Sequence, residues 1–111
     1  MKPAALALTC TCLAAPAAAQ PADREEMMEA IAEAMFLASM CEEFAVDEET
    51  AYVLIDEAGM DRERTRKRID LEFTELLSEA DEDMEAASCE TARSLYGDGG
   101  SDWPGLVVSA E

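Results

Sequence analysis

The chain has 111 residues, enough for one small domain, and it carries 26 acidic against 8 basic residues, a net charge of −18. Such a field repels nucleic acid and anionic membrane surfaces and favours cationic partners. The absence of histidine removes the usual general base and the commonest metal ligand, and excludes a Ser-His-Asp or Cys-His arrangement within the chain.

Met1-Lys2-Pro3 precedes an uncharged run from Ala4 to Leu13, and Pro16 is followed by Ala17-Ala18-Ala19. A positive start, a short apolar core and a box of small residues predict a secretory signal peptide over 1–19, cleaved after Ala19. The run is shorter than the roughly 20 residues needed to span a bilayer. Cys10 and Cys12 fall inside the removed segment, and Thr9 and Thr11 stand where a lipidated cysteine would want a small residue. Loss of Lys2 makes the mature chain one unit more negative. Export brings an oxidising compartment, where the remaining cysteines, Cys41 and Cys89, are expected to pair.

The mature chain reads as an all-α fold, a three- to four-helix bundle over 20–96, stapled by a Cys41–Cys89 disulfide and followed by an irregular tail over 97–111. Asp23 is the expected cap of the first helix, with Glu26 three residues on. Met27, Ile31, Met35, Ala38, Cys41 and Ala45 recur every three or four residues, a stripe that carries this helix to about Phe44. Glu25, Glu26, Glu29 and Glu33 sit in its early turns, where the helix dipole favours negative charge.

Asp47 is the expected cap of a second helix, with Val46 stapled onto Ala51 and Ala51, Tyr52, Leu54, Ile55 and Ala58 mostly buried. Gly59 stops it. Asp61 caps the third helix, whose core stripe is Ile69, Phe73, Leu76, Leu77 and Ala80, with Leu71 off the stripe. On one unbroken helix Cys89 would lie far round from Ala87. A break near Ser78 to Asp83 is therefore expected, with a fourth helix from about Asp83 to Tyr96 that turns Cys89, Ala92 and Tyr96 inward. Gly97 ends it, and a loop over 97–102 leads to Trp103. Trp103 either docks back on the domain or serves as a partner-facing anchor.

Three clusters bear on function. Cys41 and Cys89 are too far apart in sequence for a redox pair, which places its cysteines two residues apart. Glu79, Asp81, Glu82, Asp83 and Glu85 gather oxygen ligands. An EF-hand loop starting at Asp81, however, needs Gly and Glu where Ala86 and Ala92 stand. Arg62, Arg64, Arg66, Lys67 and Arg68 crowd a helix start, where positive charge is disfavoured. They either pair internally, through Glu63–Lys67, Arg66–Asp70 and Arg68–Glu72 at helical spacing and with neighbouring acidic helices for the rest, or form an anion- or partner-binding face, to which Trp103 is a further candidate contact. No cofactor signature is present.

Cys41-Glu42-Glu43-Phe44 with Val46-Asp47-Glu48 resembles the segment around the first cysteine of the HdeA-type periplasmic acid chaperones, small helical proteins with one disulfide. Ser39 stands where that family has tryptophan, and Asp98, Asp102 and Glu111 stand where its C-terminus is lysine-rich. The ending, Cys89…Ala92…Leu95-Tyr96-Gly97…Gly100…Pro104-Gly105-Leu106, is similar to small exported proteins of proteobacteria to which no activity attaches. The expectation is a periplasmic or secreted, non-catalytic module for a cationic protein, such as an inhibitor or accessory subunit. The alternatives are an acid-stress chaperone, as the first resemblance implies, and a small carboxylate-based hydrolase.

Overall fold

The computed structural model describes residues 21–110. The predicted leader over 1–19, with Cys10 and Cys12, lies outside the described residues, as does Glu111. The described chain forms four helices, α1 (Pro21–Met40), α2 (Glu48–Glu57), α3 (Arg62–Ser78) and α4 (Glu82–Tyr96). Two short strands, β1 (Phe44–Val46) and β2 (Val107–Ser109), pair antiparallel with Phe44 opposite Ser109 and Val46 opposite Val107. The bundle and its Cys41–Cys89 disulfide, which spans 48 positions, are as expected.

α1 is the centre of the bundle. Met27, Met28, Ala30, Ile31, Ala32, Ala34, Phe36 and Leu37 are all buried, which places apolar side chains on nearly every side. A helix that is apolar all round is one that neighbours enclose, and α1 is enclosed by α3, α4 and β1. The single stripe expected from sequence was thus too narrow: Met35 and Ala38 on it are half-buried, whereas the alanines off it are among the most buried residues. Asp23 is not a cap, because the helix already runs from Pro21.

α1 ends at Met40, short of the expected Phe44. Phe44, Val46, Val107 and Val108 favour extended backbone, and the pairing partner arrives from the far end of the chain, beyond the reach of local periodicity. Ala45, expected on the buried stripe, faces solvent from β1. Arg93 near the end of α4 ties this ribbon down, 3.2 Å from Glu43 and stacked 5.5 Å from the Phe44 ring centre.

The helix boundaries follow local chemistry. Asp61 and Asp81 accept hydrogen bonds from the backbone N–H groups of Arg64 (2.8 Å) and Met84 (2.9 Å), capping α3 and α4. Asp47 occupies the cap position of α2, but its carboxylate accepts the Thr50 hydroxyl instead. Gly59 takes φ +73° after α2, a left-handed conformation that costs glycine little. α3 and α4 are separate helices, and the break puts Ala92 and Tyr96 in the core, with Cys89 half-buried beside fully buried Cys41.

Burial fades along α3, from buried Ile69 to half-buried Phe73 and Leu76, and then to exposed Leu77 and Ala80. The last two were expected in the core. Arg68 already reaches Glu25 near the start of α1, at 3.6 Å, which leaves little of α1 for the final turns of α3 to pack on. Leu71, off the stripe, is 69% exposed.

The tail is irregular as far as Leu106, yet it is well anchored. The N–H groups of Asp102 and Trp103 both donate to the Leu95 carbonyl at 3.1 Å, and that of Ser101 donates to Ser94 at 2.9 Å. Leu106 and Val107 are buried, and Trp103 packs half-buried against the core. A Cβ on Gly100 would meet the Leu95 carbonyl oxygen at 2.5 Å, so this close approach requires glycine.

Replacing Cys41 and Cys89 together by serine should lower stability by about 4 kcal/mol, as read from urea denaturation, because the unfolded chain regains the freedom of a long loop. Gly100→Ala should cost about 1–3 kcal/mol in the same assay, since the tail must shift to relieve the overlap.

Candidate functional site

The basic cluster opens α3, directly across the Gly59 turn from α2. Arg62 donates from Nε and Nη2 to the two carboxylate oxygens of Asp56, at 3.1 and 2.7 Å. It also lies over the Tyr52 ring, 4.6 Å from its centre. Arg66 Nη1 donates to the Tyr52 hydroxyl at 2.9 Å. One tyrosine of α2 is thus held by two arginines of α3. The hydrogen bonds from Arg62 hold the Asp56 carboxyl below its ordinary range, and Asp56 raises the Arg62 guanidinium in turn.

Arg68 pairs with Glu25 of α1. Arg64 and Lys67 are exposed and form no ion pair among the described residues. Internal pairing is therefore realised for Arg62 and Arg68, through the carboxylates of neighbouring helices that were expected to supplement pairs within α3. The expected Glu63–Lys67, Arg66–Asp70 and Arg68–Glu72 pairs do not form. Exposed pairs at helical spacing are worth only a few tenths of a kcal/mol, so partners across the turn prevail easily. Beside the cluster, a small apolar cleft of about 100 Å3 opens between α1, α2 and α3, floored by Ile31, Ile55 and Ile69 with Arg66 at its mouth.

Trp103, the other singled-out residue, lies elsewhere, on the face formed by α1, α4 and the tail. It borders a cleft of about 180 Å3 together with Glu26, Glu29, Glu33, Tyr96 and Asp102. Tyr96 is 1% exposed, and its hydroxyl donates to Glu33 Oε1. Burial first, then the hydrogen bond to Glu33 and the charges of Glu33 and Asp102, push the Tyr96 phenol far above its ordinary range. It therefore stays a neutral donor. Carboxylates gathered beside an indole face suit a cation, through charge and through the ring quadrupole.

A second cleft, of about 310 Å3, lies between the same two helices and is lined by Glu33, Phe36, Leu37, Asp83, Met84, Ala87 and Thr91. Glu33 borders both clefts. The structure does not bring Trp103 together with the basic cluster. It joins Trp103 instead to Glu26, Glu29, Glu33 and Asp102, which sequence reasoning did not single out. The usable signal was the i, i+3, i+7 spacing of Glu26, Glu29 and Glu33, which was read as dipole compensation and, for Glu26, as half of a capping box.

The sulfurs of Cys41 and Cys89 and the Glu43 carboxylate lie within 4.8 Å of one another, but both sulfurs are committed to the disulfide. In the acidic turn before α4, Asp81 is occupied as the helix cap.

No protein-family model matches the sequence, and comparison with the curated proteins and with the solved structures returns no match.

Because folding raises the Tyr96 pKa above its unfolded value near 10, the associated stability is present below about pH 10 and is lost as pH rises beyond it. In a Tyr52→Phe variant, tyrosinate absorbance should therefore emerge in alkali only together with loss of the helical circular-dichroism signal. Absorbance that rises while the helices persist would contradict the buried, Glu33-bonded phenol.

Proposed function

We propose that this chain is an exported, non-catalytic interaction module that binds a cationic protein, as an inhibitor or an accessory subunit. The observation that carries the reading is the segregation of charge. Five of the basic residues, Arg62, Arg64, Arg66, Lys67 and Arg68, open one helix, α3. The face built from α1, α4 and the tail displays Glu26, Glu29, Glu33, Asp83 and Asp102 around its clefts with no basic side chain lining them.

A net negative field, with no positive charge lining these clefts to offset it, steers a basic partner and speeds its encounter. The Arg62–Tyr52–Arg66 arrangement has structural work to do between α2 and α3, which favours the acidic face over the basic cluster as the binding surface. The apolar leader and the disulfide are consistent with a periplasmic or secreted location, and no helix among the described residues is long and apolar enough to cross a membrane.

Crosslinking and pulldown from native envelope extract at neutral pH should recover a basic protein whose capture weakens as salt is raised. Capture that is insensitive to salt would oppose the reading. If the protein captures nothing at neutral pH, but suppresses aggregation of an acid-sensitive client at pH 2–3, the acid-chaperone alternative replaces it.

A further inference from the structure

The two clefts on the acidic face share more than Glu33. Their α1 wall is one continuous row, Glu26, Glu29, Glu33 and then Phe36 and Leu37, stepping by three or four residues along one side of the helix. At 1.5 Å per residue this row is about 16 Å long, or three helical turns. The row changes character along its length. One end is acidic and carries the Trp103 indole; the other is apolar, with buried Phe36 and Leu37 as floor, half-buried Met84 and exposed Ala87 as wall, and Asp83 at the rim.

We propose that this α1–α4 groove docks a basic amphipathic helix of the partner, a proposal that rests on the function inferred above. The apolar face of that helix lies on Met84 and Ala87, above the buried Phe36 and Leu37, and a lysine or arginine reaches Glu33 and Trp103. Helix-in-groove recognition places apolar anchors at i, i+3 and i+4 against a matching apolar floor. Methionine at the contact adapts its shape to the incoming side chain.

Charge complementarity selects the occupant. A second copy of this chain would bring another −18 to the groove, and an anionic lipid surface is repelled for the same reason. A small cation would satisfy the carboxylates but leave the apolar end uncovered. A basic amphipathic helix satisfies both ends together.

The test uses the full mature protein and two labelled peptides of Lys and Leu, one patterned as an amphipathic helix and one with the same composition scrambled. The patterned peptide should bind more tightly. Ala87→Arg places a bulky cation in the groove and should weaken binding by at least about tenfold. Ala86→Arg makes the same charge change at an exposed neighbour outside the cleft lining, and should change affinity by less than about twofold. In the wild-type protein the 13C-methyl signal of Met84 should move on addition of peptide while that of Met60 stays. This measurement decides the matter should Ala87→Arg fold poorly.

Equal binding of the two peptides, equal loss in the two variants, or an unmoved Met84 methyl would overturn the groove while leaving the salt-sensitive capture of a basic protein standing. A dimer seen by sedimentation and dissociated by Ala87→Arg would assign the groove to a second copy instead. Failure of the wild-type protein to bind either peptide, together with failure to capture any basic protein, would remove both the groove and the function it rests on.

Discussion

The structure depends on the burial of α1. Its apolar residues surround the helix, so no single neighbour can cover them. α3 takes one side, α4 another, and the β1–β2 ribbon closes the end where Cys41 lies. Alanines at positions 30, 32 and 34, all buried, let these elements approach closely. A core this rich in alanine supplies little buried area per residue, and a domain of this size has a correspondingly small margin. The disulfide between the end of α1 and the middle of α4 compensates at the point where the helix gives way to extended chain.

Around that centre the basic charges are gathered, while acidic residues lie on every helix. α3 carries the basic cluster and spends much of it on neighbours: Asp56 and Tyr52 of α2, and Glu25 of α1. These contacts orient α2 against α3, where direct packing is sparse. The clefts between α1, α4 and the tail are lined by carboxylates, the Trp103 indole and a few apolar side chains, with no basic residue among them. The same imbalance opposes compaction through self-repulsion, which the cross-helix pairs of α3 offset locally.

Much of the fold was legible because the signals were local. The Asp61 cap, the Gly59 stop and the break between α3 and α4 each follow from a few adjacent residues, whereas the capping role of Asp81 was missed within the acidic run. The break was also demanded by Cys89, which cannot face Cys41 from an unbroken helix. What escaped notice depends on contacts between distant segments. Nothing near Phe44 says that Val107 will pair beside it. Likewise, the single stripe read on α1 missed Ala30, Ala32 and Ala34, since alanine signals burial weakly until its neighbours are known. The candidate site was half legible. Trp103 stood out as a lone indole, but apart from adjacent Asp102 its carboxylate companions come from α1, at least 70 positions earlier. Arg62 to Arg68 stood out by charge, and the structure gives three of them stabilising work between helices.

The position of β2 bears on when the domain can form at all. The ribbon joins residues 44–46 to residues 107–109, and Leu106 and Val107 complete the covering of the core. Contacts this distant in sequence form late and set the pace of folding. The helices α3 and α4 can cover the flanks of α1 before the ribbon forms, so the pairing of β1 with β2 is the step that seals the end beside Cys41. The domain therefore locks through its most distant pair of segments, and loosening residues 106–109 should release that seal while leaving the helix–helix contacts in place.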